Sequence, residues 1–217
     1  MGVTIPVIDL SAALNPGAPA SAAVAQQIRS AAMATRFFYI QHHGVSAGLL
    51  ARQFELARQL MALPLAIHQS LAIRHSKTMR GFEATGEQML DENARPDLKE
   101  CFYCGTAYPP DHPYVLAGYQ TYGGNQWPAE LPDAPTQCEA YIQALLGLSR
   151  RLMQLLALSL NLPETYLDAT SDSPMVTLRS LRYPPHPAGA DELTFGAGAH
   201  TDRGALTLLA QDTYGGL

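Results

Sequence analysis

A stripe of leucines between residues 136 and 161 sets the first constraint on the fold. Five of them recur at helical spacing, namely Leu145, Leu148, Leu152, Leu155 and Leu156. Such spacing predicts an amphipathic helix that must bury one face. After residue 174 the pattern changes, and residues 175–183 and 205–211 favour strands separated by glycine-rich turns. The chain is therefore predicted to be α+β, with helices in front and strands behind.

The part of the chain before this helix is predicted to contain short strands, two helices and two long loops. We expect strands at residues 3–10, 37–40 and 99–104, and helices at residues 22–35 and 46–63. The polar stretch 68–88 and the Pro- and Gly-rich stretch 108–135 are expected to be loop-like.

Composition limits the class of protein and its partners. Hydrophobic residues make up 47% of the 217 residues and charged residues 15%, which predicts a folded core rather than disorder. A net charge of −5 without any basic run argues against nucleic acid and anionic membranes as partners. The chain lacks a signal-peptide pattern, and its three cysteines fit a reducing compartment. We expect a cytoplasmic protein that binds a small-molecule substrate, with its oligomeric state open.

The segment around His200 and Asp202 carries the most informative chemistry. On extended backbone, residues two apart project to the same face, so an imidazole and a carboxylate can converge on one metal ion. His-x-Asp completed by a distant His is the facial triad of non-haem Fe(II) oxygenases, which leaves positions open for oxidant and substrate. Alone the triplet is weak, because a solvent-facing turn with a His–Asp hydrogen bond would give the same pattern.

The surroundings of the triplet resemble the isopenicillin N synthase-like branch of the 2-oxoglutarate/Fe(II) oxygenases. Residues 198–217, which begin Gly-Ala-His-Thr-Asp-Arg-Gly-Ala-Leu-Thr-Leu-Leu, look like that family's first iron motif and the strand and turn after it. Other segments resemble the family in the same order, namely residues 5–10 (Ile-Pro-Val-Ile-Asp-Leu), 37–45, 97–102, 124–128 and 178–185. Several ordered motifs are far more specific than one triplet.

The resemblance implies a fold and a set of roles. The fold is a helical N-terminal lobe in residues 1–135, then the long helix and the first part of a double-stranded β-helix (jelly-roll) in residues 136–217. His200 and Asp202 would be the catalytic iron ligands, and the Tyr183 hydroxyl would reach the co-substrate or substrate. The implied cofactors are Fe(II), 2-oxoglutarate and O2, for hydroxylation, desaturation or cyclisation of a small molecule. Leu181 stands where many members have Asn, and Arg203 stands where an aromatic residue is common.

Two features of the family have no counterpart up to residue 217. One is the later His that completes the iron site, and the other is an Arg-x-Ser pair that holds the distal carboxylate of 2-oxoglutarate. We therefore expect an incomplete jelly-roll, as a fragment or a degenerate member, that holds Fe(II) weakly and is inactive or nearly so. Two alternatives stay open: an Fe(II)/O2 oxidase of isopenicillin N synthase type without 2-oxoglutarate, and a non-catalytic jelly-roll binding module.

Other patterns that could suggest metal or redox chemistry have simpler explanations. In Cys101-Phe-Tyr-Cys104 the two thiols would face opposite sides of a strand, so they are expected to be buried small side chains. The pair His42-His43 also points opposite ways and fits a turn. His68 and His75 are expected on the surface, and Arg80-Gly-Phe82 is expected to lie in a loop.

Overall fold

The structure is a computed structural model that describes residues 4–87, 97–186, 189, 195–202 and 204–214. Its strands are β1 Val7–Asp9, β2 Tyr39–Gln41, β3 Gly81–Glu83, β4 Glu100–Cys104 and β5 Leu178–Arg182. Its α-helices are α1 Ser21–Ala34, α2 Ala47–Met61, α3 Leu65–Ser70, α4 Pro113–Leu116 and α5 Ala134–Ser159. Short 3-10 helices lie at Ser11–Ala13, Ile73–His75 and Asp168–Ser171. The protein thus mixes helices with small sheets.

The chain forms two compact units, each assembled from two separate stretches of sequence. The first contains Met1–Ala47 and Gln143–Pro174, and the second contains Gly48–Ile142 and Met175–Leu217. The predicted boundary between residues 135 and 136 refers to the lobes of the family and stays a prediction.

The first unit is built on a parallel strand pair connected by α1. β1 and β2 pair in parallel, with Val7 opposite Tyr39, and parallel strands need a crossover such as this helix. α1 buries Val24, Ile28 and Ala31, which recur at helical spacing along one face. The unit also buries residues of α5, namely Leu148, Leu152 and Leu155. Both apolar stripes follow from the helical period of the sequence.

A buried arginine on α5 links several polar groups of the first unit. The side chain of Arg151 is only 6% exposed, and its Nη1 lies 2.5 Å from Oε1 of Glu164. Its other nitrogens donate to Ser21 Oγ at 2.7 Å and to the Ala13 carbonyl at 2.5 Å. Glu164 in turn accepts the Gly17 N–H at 3.0 Å. These bonds satisfy a buried charge and tie α5 to the start of the chain.

The second unit contains a three-stranded antiparallel sheet in the order β3-β4-β5. Phe82 pairs with Phe102, and Phe102 pairs with Ser180. One face of the sheet belongs to a buried core cluster, formed by Leu56, Leu60, Met61, Leu71, Phe82, Phe102, Cys104, Ala134 and Cys138. Trp127 packs against this cluster, with its ring centroid 5.8 Å from that of Phe102.

The other face of this sheet is polar. Tyr103 donates its hydroxyl to Glu83 Oε2 at 2.6 Å, and the Arg179 guanidinium lies 5.0 Å from the centre of the Tyr103 ring. Burial is the main cause that raises the pKa of Tyr103. Cys101 and Leu181 pair on this same face, because side chains alternate along a strand. The sheet therefore has an apolar core on one face and a partly buried layer with several polar side chains on the other.

Arg80 is the largest fully buried side chain among the described residues, at 1% exposure. Its guanidinium donates to the carbonyls of Cys104, Thr121 and Val176 at distances of 3.0, 3.0 and 2.7 Å. The next residue, Gly81, has φ +118°, and a Cβ there would lie 2.2 Å from the Leu71 carbonyl oxygen. Glycine thus permits the close backbone approach at which β3 begins.

Several predicted elements are confirmed. The helices predicted at 22–35, 46–63 and 136–161 correspond to α1, α2 and α5, and the strand predicted at 99–104 corresponds to β4. The strands predicted at 3–10, 37–40 and 175–183 form as the shorter β1, β2 and β5. In the described part of the chain, no helix is long and apolar enough to span a membrane.

Two predictions about the backbone are wrong. Residues 68–88 are not a simple loop, since they include the end of α3, a 3-10 helix and β3. Pairing with β4 gives β3 its hydrogen bonds despite the polar sequence around it. Residues 205–211 are not a strand in this structure, and none of the described residues forms a ladder with them. A strand needs a partner for its N–H and C=O groups, which alternating sequence alone does not supply.

Candidate functional site

His200 and Asp202 lie side by side on a segment without regular secondary structure. The distance between His200 Nε2 and Asp202 Oδ1 is 3.5 Å, and the two side chains are 42% and 51% exposed. The two side chains therefore approach each other, a contact that both the metal-ligand hypothesis and a solvent-facing His–Asp pair predict. Their role as metal ligands stays a prediction.

A hydrogen bond on the other ring nitrogen orients the imidazole of His200. Nδ1 lies 2.8 Å from the Gly198 carbonyl oxygen, which can only accept, so Nδ1 carries the proton. A metal ion would bind the neutral ring through Nε2, the nitrogen that lies toward Oδ1 of Asp202.

The separation of these two atoms fits a divalent metal ion. With metal–ligand bonds of about 2.1 Å, two ligands stand about 3.0 Å apart at a right angle and about 4.2 Å apart when opposite. The observed 3.5 Å lies between these limits. Imidazole and carboxylate together also match the ligand set of non-haem iron. Among the described residues, no group of three or more His, Cys, Asp or Glu side chains could hold a metal.

The segment that carries the His–Asp pair is attached to the residues just before β4. Leu98 donates its N–H to the Phe195 carbonyl at 2.9 Å, and Gly198 donates its N–H to Asp97 Oδ1 at 2.9 Å. The sequence does not predict this attachment, because no local pattern connects residues 101 positions apart. The one available signal was a carboxylate, Asp97, in a stretch that resembles a family motif.

Tyr183 lies just beyond β5 and is 45% exposed. Its ring packs closely on Gly196, where a Cβ would come within 2.9 Å of Cδ1 of Tyr183. Burial raises the pKa of Tyr183, and the Arg179 charge acts in the opposite direction. Contact with the Gly196 backbone brings Tyr183 to the segment of the His–Asp pair. The predicted role of its hydroxyl stays a prediction, and Arg203 lies outside the described residues.

The cysteines behave as the buried small side chains that were expected. Cys101 and Cys104 are 1% and 2% exposed and lie on opposite faces of β4. Cys138, although distant in sequence, forms a thiol hydrogen bond with Cys104 inside the core. That bond raises the pKa of Cys104 and lowers the pKa of Cys138. No local pattern indicates this pairing, because it depends on how α5 packs on the sheet.

The histidines outside the site have structural roles. His42 lies 2.8 Å from Asp9 Oδ2, and His43 accepts the Val45 N–H at 3.2 Å, so the predicted turn role is confirmed. His75 is exposed as expected. His68 is not on the surface: it is 8% exposed, donates to the Leu60 carbonyl at 2.8 Å and stacks on Phe82 at 3.9 Å.

Comparison with known proteins identifies the family. The N-terminal region of the non-haem dioxygenases, described as "non-haem dioxygenase in morphine synthesis N-terminal", matches residues 5–130, more than half of the chain. The chain belongs to this family. The 2-oxoglutarate-Fe(II) type oxidoreductase hxnY of Emericella nidulans is 36% identical over 216 residues, which cover 98% of this chain and 62% of that protein.

Solved structures show the same dioxygenase fold. A 2OG-Fe(II) oxygenase family protein of Caulobacter crescentus superposes with a TM-score of 0.75 at 24% identity, covering 92% of this chain and 61% of that one. A Neurospora crassa protein, solved with alpha-KG and thymine, gives a TM-score of 0.68 at 22% identity, covering 84% and 56%. The chain spans somewhat less than two thirds of the length of curated relatives that it matches, 62% and 64% for two of them.

Proposed function

We propose that this dioxygenase-family chain takes part in the Fe(II)- and 2-oxoglutarate-dependent oxidation of a small molecule, with His200 and Asp202 as two iron ligands. The observation that carries the proposal is the 3.5 Å approach of His200 Nε2 to Asp202 Oδ1, with the Nδ1–H of the imidazole bound to the Gly198 carbonyl.

The names of the relatives support the choice of co-substrate. HxnY is named for 2-oxoglutarate and Fe(II), and the Neurospora crassa protein was solved with alpha-KG, which favours 2-oxoglutarate over the alternative of an oxidase that works without it. That Neurospora crassa protein also binds thymine, a small planar molecule, which supports a small-molecule substrate here. We further propose a cytoplasmic location, on the grounds of composition and the free cysteines.

Each residue of the site has a defined part in this proposal. His200 supplies Nε2 and Asp202 supplies a carboxylate oxygen to the metal, while the Gly198 carbonyl keeps the proton on Nδ1. The Tyr183 hydroxyl donates to an oxygen of the co-substrate or substrate. Fe(II) with 2-oxoglutarate would supply the activation of O2, and the protein supplies binding and orientation.

Metal titration of the purified chain tests the ligand assignment. Co(II), whose visible absorption reports its ligands, is added anaerobically to the wild type and to His200→Ala and Asp202→Ala. We expect the visible bands of the wild-type complex to be lost in both variants. His42→Ala is the matched control, because His42 also lies beside an exposed carboxylate, Asp9, at 2.8 Å. Bands that survive in His200→Ala, or that vanish in His42→Ala, would remove His200 from the site.

A product assay separates the possible reactions and tests the expectation that the given chain is inactive or nearly so, which succinate release by the purified chain would contradict. With Fe(II), 2-oxoglutarate and a candidate substrate, hydroxylation adds one oxygen atom to the product, whereas desaturation or ring closure removes two hydrogens. Mass spectrometry of the product together with succinate release distinguishes these cases. Oxidation that proceeds equally well without 2-oxoglutarate would favour the oxidase alternative.

A further inference from the structure

Asp97 and Lys99 form a buried ion pair just ahead of β4. Their side chains are 4% and 5% exposed, and Lys99 Nζ lies 2.5 Å from Asp97 Oδ2. Burial of two charges is unfavourable unless their remaining polar atoms also find partners. The other oxygen of Asp97 finds its partner 101 residues later, because Oδ1 accepts the Gly198 N–H at 2.9 Å. The ion pair is therefore joined to the segment that carries His200.

Gly198 is held at both of its polar backbone groups. Its N–H is bound by Asp97, and its carbonyl accepts the Nδ1–H of His200 at 2.8 Å. A carbonyl in that place sets the tautomer and the orientation of the imidazole, as hydrogen-bond partners of metal-binding histidines do. A displacement of Gly198 would therefore displace the Nε2 lone pair that faces Asp202.

The attachment matters because, among the described residues, it is one of few contacts that order the segment, beside the Leu98 N–H bond to Phe195 and the packing of Tyr183 on Gly196. Residues 195–202 have no regular secondary structure, and the side chains of His200 and Asp202 are about half exposed. Gly196 and Gly198 add backbone freedom that must be removed before two side chains can meet at one point. The buried ion pair is a rigid support, since both of its side chains are almost wholly enclosed.

We propose that Asp97, with its charge balanced by Lys99, is a positioning residue for the metal site. It fixes Gly198, and through the Gly198 carbonyl it keeps the proton of His200 on Nδ1 and Nε2 directed at Asp202. The proposal rests on the proposed function only for the statement that His200 and Asp202 bind metal. The effect on the imidazole exists in the metal-free chain and is measured there.

Two double variants, both without the charges of Asp97 and Lys99, distinguish the effect of the hydrogen-bond acceptor from the effect of the charge. Asp97→Ala/Lys99→Ala removes the acceptor for Gly198 without leaving a charge unpaired. Asp97→Asn/Lys99→Gln also removes both charges but keeps an oxygen in the place of Oδ1. Long-range proton–nitrogen NMR of the metal-free chain reports the His200 tautomer, with its signals assigned by their loss in His200→Ala.

We expect the wild type and the amide double variant to hold His200 with the proton on Nδ1. The alanine double variant should shift toward the form with the proton on Nε2. In Co(II) titrations the dissociation constant of the alanine double variant should be about 10- to 100-fold higher than that of the wild type, which is the usual effect of losing a hydrogen-bond partner of a metal ligand. The amide double variant should bind Co(II) with nearly the same dissociation constant as the wild type.

Three results would overturn the proposal. One is an unchanged tautomer and Co(II) affinity in the alanine double variant. Another is an amide double variant that behaves like the alanine one, which would assign the effect to charge. The third needs no variant: fast hydrogen exchange at the Gly198 amide of the wild type would mean that Asp97 does not hold it. If His200→Ala leaves the Co(II) bands intact, the proposed function fails, while the tautomer measurement still decides the role of Asp97.

Discussion

Replacement of Arg80 by methionine should strongly destabilise the second unit. The change removes a guanidinium that donates to the carbonyls of Cys104, Thr121 and Val176 and to Thr177 Oγ1 at 3.3 Å. A buried carbonyl that loses its donor costs about 1–3 kcal/mol. The hydrogen bond to Cys104 is buried and those to Thr121 and Val176 are partly buried, so the three losses together amount to at most roughly 9 kcal/mol. Relief from burying a charge offsets several kcal/mol of this loss. We expect a net decrease of about 3 kcal/mol in the free energy of unfolding.

Urea unfolding followed by tryptophan fluorescence measures the stability of the second unit, because the fluorescent side chain lies there. The chain has one tryptophan, Trp127, which packs against the core of the same unit near Phe102. Arg58→Met is the matched control, because the Arg58 side chain is 72% exposed and pairs with the exposed Glu55 three residues earlier. That control should lie within about 0.5 kcal/mol of the wild type. An Arg80→Met variant with the same urea midpoint as this control would refute the reasoning.

Three further outcomes follow from other contacts. The hydrogen bond with Arg151 lowers the pKa of Glu164, so the ionised carboxylate stabilises the fold at pH values above the ordinary glutamate pKa. In urea unfolding the wild type should therefore be more stable than Glu164→Gln near neutral pH, and this difference should shrink as the pH falls below about 4. A gap that grows on acidification would contradict this sign. Leu155→Ala should cost about 2–5 kcal/mol in thermal or urea unfolding because Leu155 is fully buried, whereas Leu160→Ala, at a site 57% exposed, should have little effect. All three cysteines are buried, so a thiol reagent should modify them only after unfolding, and rapid modification of the folded chain would show that the core is open.

The elements that the sequence predicts well are those determined by local periodicity. α1, α2 and α5 each show an apolar stripe that one face of a helix must bury, so their positions follow from neighbours three and four residues away. The approach of His200 to Asp202 agrees with their two-residue spacing, although the segment that carries them forms no strand. These features need no knowledge of the rest of the chain.

The features that the sequence does not predict depend on contacts between distant residues. The polar stretch that contains Gly81 becomes β3 only because β4 offers it a ladder. Arg80 was expected in a loop, yet acceptors from residues 104, 121, 176 and 177 enclose it. Asp97 could be assigned to Gly198 only after the structure brought the two together. The roles of these residues cannot be predicted from the sequence because their partners lie far away along the chain.

The division of each unit into two stretches of sequence has a consequence for synthesis in the cell. The first 47 residues include Ile8, Leu10 and Ile28, which become fully buried in a unit completed by residues 143–174. Roughly a hundred residues must be translated before those partners emerge, which takes about 5–20 s at ordinary ribosome speeds. During that interval the unit that buries these apolar side chains is incomplete. We expect the newly made segment to expose them until residues 143–174 have been synthesised.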